Sequence, residues 1–134
     1  MSYKILLCDD EVHILRAAEF KLKRAGLDVR CACDGQEAWE MIQTDCPDAV
    51  VTDCQMPRMN GIQLAELVHT TPTTSHLPVI MLTAKGFELS HEELNAKYGI
   101  TSVVAKPFSP RKLLERVESI LQEREGIACG GGGA

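Results

Sequence analysis

The stretch VVTDCQMPRMNG, residues 50–61, decides how this chain reads. Val50 and Val51 belong to an apolar run that stops at Asp53, after which Met56-Pro57 and Asn60-Gly61 turn the chain away. A short, continuously apolar run suits a strand covered on both faces, as in a parallel sheet. Such a strand fixes whatever stands at its tip, so Asp53 is a carboxylate delivered to a defined point at the rim of the core.

Four further strand candidates follow, YKILLC (3–8), DVRCAC (28–33), LPVIML (77–82) and TSVVA (101–105), with DAVVT (48–52) completing five, and all but DVRCAC share this character. Arg30 interrupts the second, which places it at a sheet edge. Between the runs the apolar spacing is helical. Leu15, Ala18, Leu22 and Ala25 recur over 11–25, and Gly26 supplies the stop. Asp34 with Glu37 starts a helix through about Thr44, and Asn60 starts one to about His69. Ser90 with Glu93 has capping-box spacing, Leu89 and Leu94 can form its hydrophobic staple, and Gly99 closes that fourth helix. Ser109 and Pro110 open the last, whose face carries Leu113, Leu114, Val117, Ile120 and Leu121.

The order βαβαβαβαβα predicts an α/β fold, a parallel sheet with helices on both faces and right-handed crossovers. The 134 residues suit one domain, and aromatic residues at 4% leave an aliphatic core. GIACGGGGA at the end reads as a flexible Gly-rich tail, a linker remnant or a scar. The net charge of -5 argues against general nucleic-acid binding. Neither a signal peptide nor a membrane span is readable, so the six cysteines are expected as reduced thiols in the cytoplasm.

In an open parallel sheet the loops at the carboxyl ends of the strands converge on one crevice. The first strand ends in Asp9, Asp10 and Glu11, the third in Asp53, the fourth in Thr83 and Ala84, the fifth in Lys106 and Pro107. Clustered carboxylates repel, and a divalent cation with oxygen-only ligands, Mg²⁺, relieves that. A lone lysine and a hydroxyl opposite them suit a phosphoryl group. The Asp53 carboxylate is then the candidate nucleophile. Each residue alone has a plainer reading: Asp9 and Asp10 as a helix cap, Asp53 and Thr83 as turn residues, Lys106 as a surface charge.

Together, DDE (9–11), D-x-x-M-P-x-M-N-G from Asp53, TA (83–84) and KPF (106–108) resemble the receiver domain of two-component response regulators, over roughly residues 3–124. The resemblance implies a flavodoxin-like (βα)5 three-layer sandwich with strand order 2-1-3-4-5, the receiver over 1–124 and the tail over 125–134. It implies that Asp53 accepts phosphate from a histidine kinase or histidine phosphotransfer protein. It assigns Mg²⁺ to Asp10 and Asp53 directly, to Asp9 mainly through water, and to the Gln55 backbone carbonyl. Lys106 and Thr83 would contact the phosphoryl group, the Lys106–Pro107 bond would be cis, and Gln55 and Lys85 would tune hydrolysis. The output would be contact with a downstream protein, not direct nucleic-acid or membrane binding, and not an enzyme of turnover.

One position departs from the family pattern. Three residues before the lysine, where an aromatic side chain is usual, stands Val103. That keeps an unphosphorylated interaction module in view, as well as the receiver piece of a longer regulator. A phosphohydrolase of the haloacid-dehalogenase type would want D-x-D at the first strand, and a flavin binder a Ser/Thr/Gly-rich first loop; neither is present.

Overall fold

The computed structural model describes residues 3–83 and 96–132, and side chains as far as Glu123. Strands β1 (Lys4–Cys8), β2 (Asp28–Ala32), β3 (Ala49–Asp53), β4 (Val79–Thr83) and β5 (Ile100–Ala105) form one parallel sheet of order β2-β1-β3-β4-β5. The strand with Arg30 in it, β2, does lie at an edge. Helices α1 (Val12–Arg24), α2 (Gly35–Thr44), α3 (Gly61–Thr70) and α4 (Pro110–Gly132) connect and cover it. Residues 96–98 are helical, ahead of Gly99 at φ +66°. The expected capping box at Ser90 and Glu93, the staple of Leu89 and Leu94, and positions Ala84 and Lys85 lie outside the described residues.

Side-chain alternation divides the core into two layers. Leu6, Cys8, Val50, Val79, Met81 and Ile100 face one way, with α2 and α3 supplying Ala38, Ile42, Leu64 and Val68. Ile5, Leu7, Val51, Ile80, Leu82 and Val104 face the other, with α1 and α4 supplying Leu15, Leu22, Leu113 and Val117. Each fully buried leucine or isoleucine contributes roughly 1.5–3 kcal/mol, so the aliphatic composition suffices for a double-faced sheet. Trp39 packs against the first layer, as its place in the second helix suggests.

Local capping fits the helix starts. Asn60 Oδ1 accepts from the Gln63 backbone N–H while Gln63 Oε1 accepts from that of Asn60, a full capping box. The Asp34 carboxylate accepts from the Glu37 N–H, but Glu37 turns to the Cys33 N–H instead of closing the reciprocal bond. The β4–β5 register shifts between Val79 and Ile80, and Thr101 Oγ1 accepts from the Val79 N–H there.

The backbone of the last helix stays helical to Gly132, within the stretch that the sequence reads as a Gly-rich tail. Glycine costs about 1 kcal/mol relative to alanine inside a helix but raises no steric bar to it. Among the described residues no helix is long and apolar enough to cross a membrane.

Candidate functional site at the carboxyl edge of the sheet

The four strand ends anticipated from the sequence do meet. Asp9 follows β1, and its N–H donates to Ala32 of β2 at 3.2 Å. Asp53 is the last residue of β3; the next N–H, of Cys54, donates to Leu82 at 2.8 Å. Thr83 ends β4 and is buried, and the Lys106 N–H donates to its carbonyl at 2.7 Å. Backbone bonds therefore hold the site residues themselves in the frame of the sheet. Gly61 completes that frame beneath Asp53. Its N–H donates to the Cys54 carbonyl, and any Cβ at Gly61 would run into the carbonyl oxygen of Asp53.

Oxygen atoms of Asp9, Asp10 and Asp53 lie within 4.8 Å of one another. Their environments differ: Asp9 is 2% exposed and Asp53 7%, while Asp10 faces solvent. Asp9 Oδ1 accepts from the Glu11 backbone N–H at 2.9 Å. Its Oδ2 lies 2.9 Å from Lys106 Nζ, yet the alignment is too poor for a hydrogen bond, and that buried oxygen has no other hydrogen-bond partner. Three clustered carboxylates with an unsatisfied buried lone pair form an all-oxygen donor set, which suits a hard divalent cation such as Mg²⁺.

Lys106 stands over the acids on the far side of a cis Lys106–Pro107 bond. Its ammonium is 2.9 Å from Asp9 Oδ2, 3.2 Å from Asp53 Oδ2, and donates to Glu11 Oε1 at 2.9 Å. Burial works against the ammonium, but its close contacts with Asp9 and Glu11, with the charges of Asp9 and Asp53, outweigh it and hold its pKa above the ordinary lysine value. The Asp53 carboxyl is shifted upward, first by burial and then by the neighbouring Asp9 charge; Lys106 and the Gln55 backbone N–H oppose the shift without cancelling it. This carboxylate is costly to ionise and held at close range to a cation. It is an anion waiting for more positive charge.

This arrangement can be compared with known proteins. A family model described as the response regulator receiver domain matches residues 5–118. The chain belongs to that family. It is 37% identical over 125 residues to the alkaline phosphatase synthesis transcriptional regulatory protein PhoP of Bacillus subtilis (strain 168), covering 93% of this chain and 51% of that protein. It thus spans about half the length of that curated relative. Among solved structures, this receiver domain resembles the receiver domain of Francisella response regulator 1452, at 33% identity and TM-score 0.80, over 92% of this chain and 99% of that one. It also resembles the chemotaxis response regulator CheY4 of Vibrio cholerae, at 28% identity and TM-score 0.81, over 90% and 99%.

Asp9, Asp10, Asp53 and Lys106 are brought together, and Thr83 stands at the adjoining strand end. Gln55 lies in the exposed loop two residues beyond Asp53. Val103, at the position where an aromatic is usual, is half-buried against the layer of α2 and α3. One participant had been given no role: Glu11, whose carboxylate reaches Lys106. Its place as the third acid of the DDE run was the available signal.

Proposed function

We propose that this receiver domain is a phosphoacceptor switch whose nucleophile is Asp53. A carboxylate oxygen of Asp53 attacks the phosphorus of a phosphohistidine on a histidine kinase or phosphotransfer protein. The P–N bond breaks, its electron pair stays on the imidazole nitrogen, and Asp53 becomes an acyl phosphate. Asp9, Asp10 and Asp53, with the Gln55 backbone carbonyl, would hold Mg²⁺, which neutralises phosphoryl oxygens when bound. Lys106 supplies a further positive contact to the phosphoryl group, and the Thr83 hydroxyl a hydrogen bond. The domain promotes its own phosphorylation and dephosphorylation and is no enzyme of turnover.

The observation that carries this reading is the placement of Lys106 Nζ within 3.2 Å of a buried strand-end aspartate that is itself clustered with two more carboxylates. The readout is contact with a downstream protein, changed by what happens at Asp53 and Thr83, with no direct nucleic-acid contact given the net charge of -5. Where the chain forms part of a longer regulator, as the length of the Bacillus relative suggests, that partner is an attached output segment. The free thiols of Cys8, Cys31, Cys33, Cys46 and Cys54 suit the cytoplasm.

Intact-protein mass after incubation with acetyl phosphate tests the reading, with Mg²⁺, with EDTA, and with Asp53→Ala. A gain of one phosphoryl mass that needs Mg²⁺ and Asp53 is expected. A folded wild-type protein that stays unmodified, with a phosphohistidine donor as well, makes the domain an unphosphorylated interaction module.

A further inference from the structure

An ammonium carries three N–H donors, and on Lys106 three carboxylates surround it: Asp9, Asp53 and Glu11. Of these contacts, the one to Glu11 Oε1 is a well-aligned hydrogen bond, so a phosphoryl oxygen that claims this N–H has to displace it. Asp9 and Asp53 are buried and their backbones are tied into the sheet, so neither can withdraw. Glu11 differs on each count. Its side chain is 53% exposed, and it is the N-cap residue of α1 without making a side-chain cap bond. A glutamate at that place has a solvated alternative, and its carboxylate is on Lys106 instead.

We infer that Glu11 is a positioning residue, a placeholder anion that occupies Lys106 in the unphosphorylated protein and yields it when Asp53 carries a phosphoryl group. The inference rests on the phosphoacceptor reading above and adds a residue that this reading does not use. No bond to phosphorus involves Glu11 and no proton moves. The ammonium exchanges one oxygen partner, Glu11 Oε1, for another on the phosphoryl group, and the Glu11 side chain swings to solvent. Its backbone N–H goes on holding Asp9 Oδ1, so release of the carboxylate leaves the acid cluster in place. The placeholder keeps Lys106 drawn over the site until Asp53 is phosphorylated, and every phosphoryl group that claims the lysine has to displace it.

The test separates contact from charge. Glu11→Gln removes the charge; Glu11→Asp keeps it but draws the carboxylate back by one carbon–carbon bond, about 1.5 Å, and favours an N-cap bond instead. Rates of phosphorylation by acetyl phosphate and affinity for beryllofluoride, both in Mg²⁺, are measured for wild type and the two variants, with Asp53→Ala as the blank. Because a partly exposed ion pair is modest, both variants should react faster and bind beryllofluoride more tightly, each by roughly two- to fivefold. Gain in Glu11→Gln alone, with Glu11→Asp matching wild type, would overturn the placeholder and leave general repulsion of an anionic donor. No change in either variant, with wild type reacting normally, would overturn it as well. A wild type that neither reacts nor binds beryllofluoride defeats the phosphoacceptor reading, and the placeholder with it.

Discussion

Replacing Asp53 by asparagine should raise the stability of the metal-free protein while it abolishes phosphate acceptance. Three electrostatic terms dominate at the carboxylate, the exposed Asp10 being screened by solvent. Repulsion from Asp9, whose oxygen lies within 4.8 Å, comes to about 3.5 kcal/mol at an effective dielectric of about 20. Attraction to Lys106 at 3.2 Å returns about 5 kcal/mol on the same scale. Desolvation of a buried carboxylate adds a cost of several kcal/mol. The balance is a net penalty of roughly 1–3 kcal/mol, in the direction of the raised Asp53 pKa. Asparagine keeps the shape and an acceptor for the Gln55 N–H, and Lys106 retains Asp9 and Glu11. For a domain of this size about 1 kcal/mol moves the midpoint by roughly 3–5 °C. Thermal unfolding of both proteins in EDTA should therefore separate them by about 3–15 °C in favour of Asp53→Asn. Titrating Mg²⁺ should close the gap, since at a hundredfold excess over its Kd a ligand adds about 2.7 kcal/mol to the form that binds it. A variant that melts at or below wild type in EDTA would refute the reasoning: the pull of Lys106 would then outweigh burial and Asp9 together.

Gly61→Ala should cost about 1–3 kcal/mol in urea unfolding and slow phosphorylation, because the new methyl group meets the Asp53 carbonyl and must displace the strand tip. Pulsed alkylation at pH 8, read by peptide mass, should modify exposed Cys33 and Cys46 first and Cys8 last. Burial encloses the Cys8 thiol and pushes its pKa up, and it raises that of Cys54 too, so equal labelling of Cys8 and Cys33 would contradict the packing. Stability should also fall in alkali. Burial raises the Cys8 thiol well above its ordinary value and Cys31 to about 11, so the neutral forms favour the fold. That contribution is complete below the unfolded thiol pKa and is lost above it, by about 1.4 kcal/mol per pH unit for Cys8, with a smaller, screened share from half-exposed Cys31. Urea midpoints should drop between pH 9 and 10.5, and Cys8→Ala should flatten the slope.

The sheet was legible because most of its strands carry a compact apolar run, and a parallel sheet buried on both faces requires that pattern. Arg30 marked the edge for the same reason: a central strand has nowhere to put a guanidinium. The site was legible because strand ends converge, so residues far apart in sequence become neighbours by topology alone. What stayed hidden depends on distances that no spacing encodes. Asp9 and Asp10 are adjacent and chemically identical, yet one is buried and the other solvated, because successive residues leave the strand in different directions. The bond of Glu11 to Lys106 joins positions 95 apart, and it required the lengths of two flexible side chains to match. The one-residue shift between β4 and β5 is equally silent in the run TSVVA, since Thr101 fits a regular strand and a bulge alike.

A fold that gathers three carboxylates must stop them from drifting apart, and the backbone explains how. Asp9, Cys54 and Lys106 each donate their N–H to the neighbouring strand, at 3.2, 2.8 and 2.7 Å, just where the regular ladder ends. Moving Asp53 away from Asp9 would break such bonds and unseat Val51 and Leu82 from a packed layer, which costs more than the repulsion it would relieve. The strain is therefore left in the charges, where a cation or a phosphoryl group can act on it. Relief has to come through the side chains that retain freedom, and of the groups around Lys106 the exposed one is Glu11. On the proposed exchange, a phosphoryl group at Asp53 first alters which oxygen Lys106 holds, and Glu11 is the partner free to move.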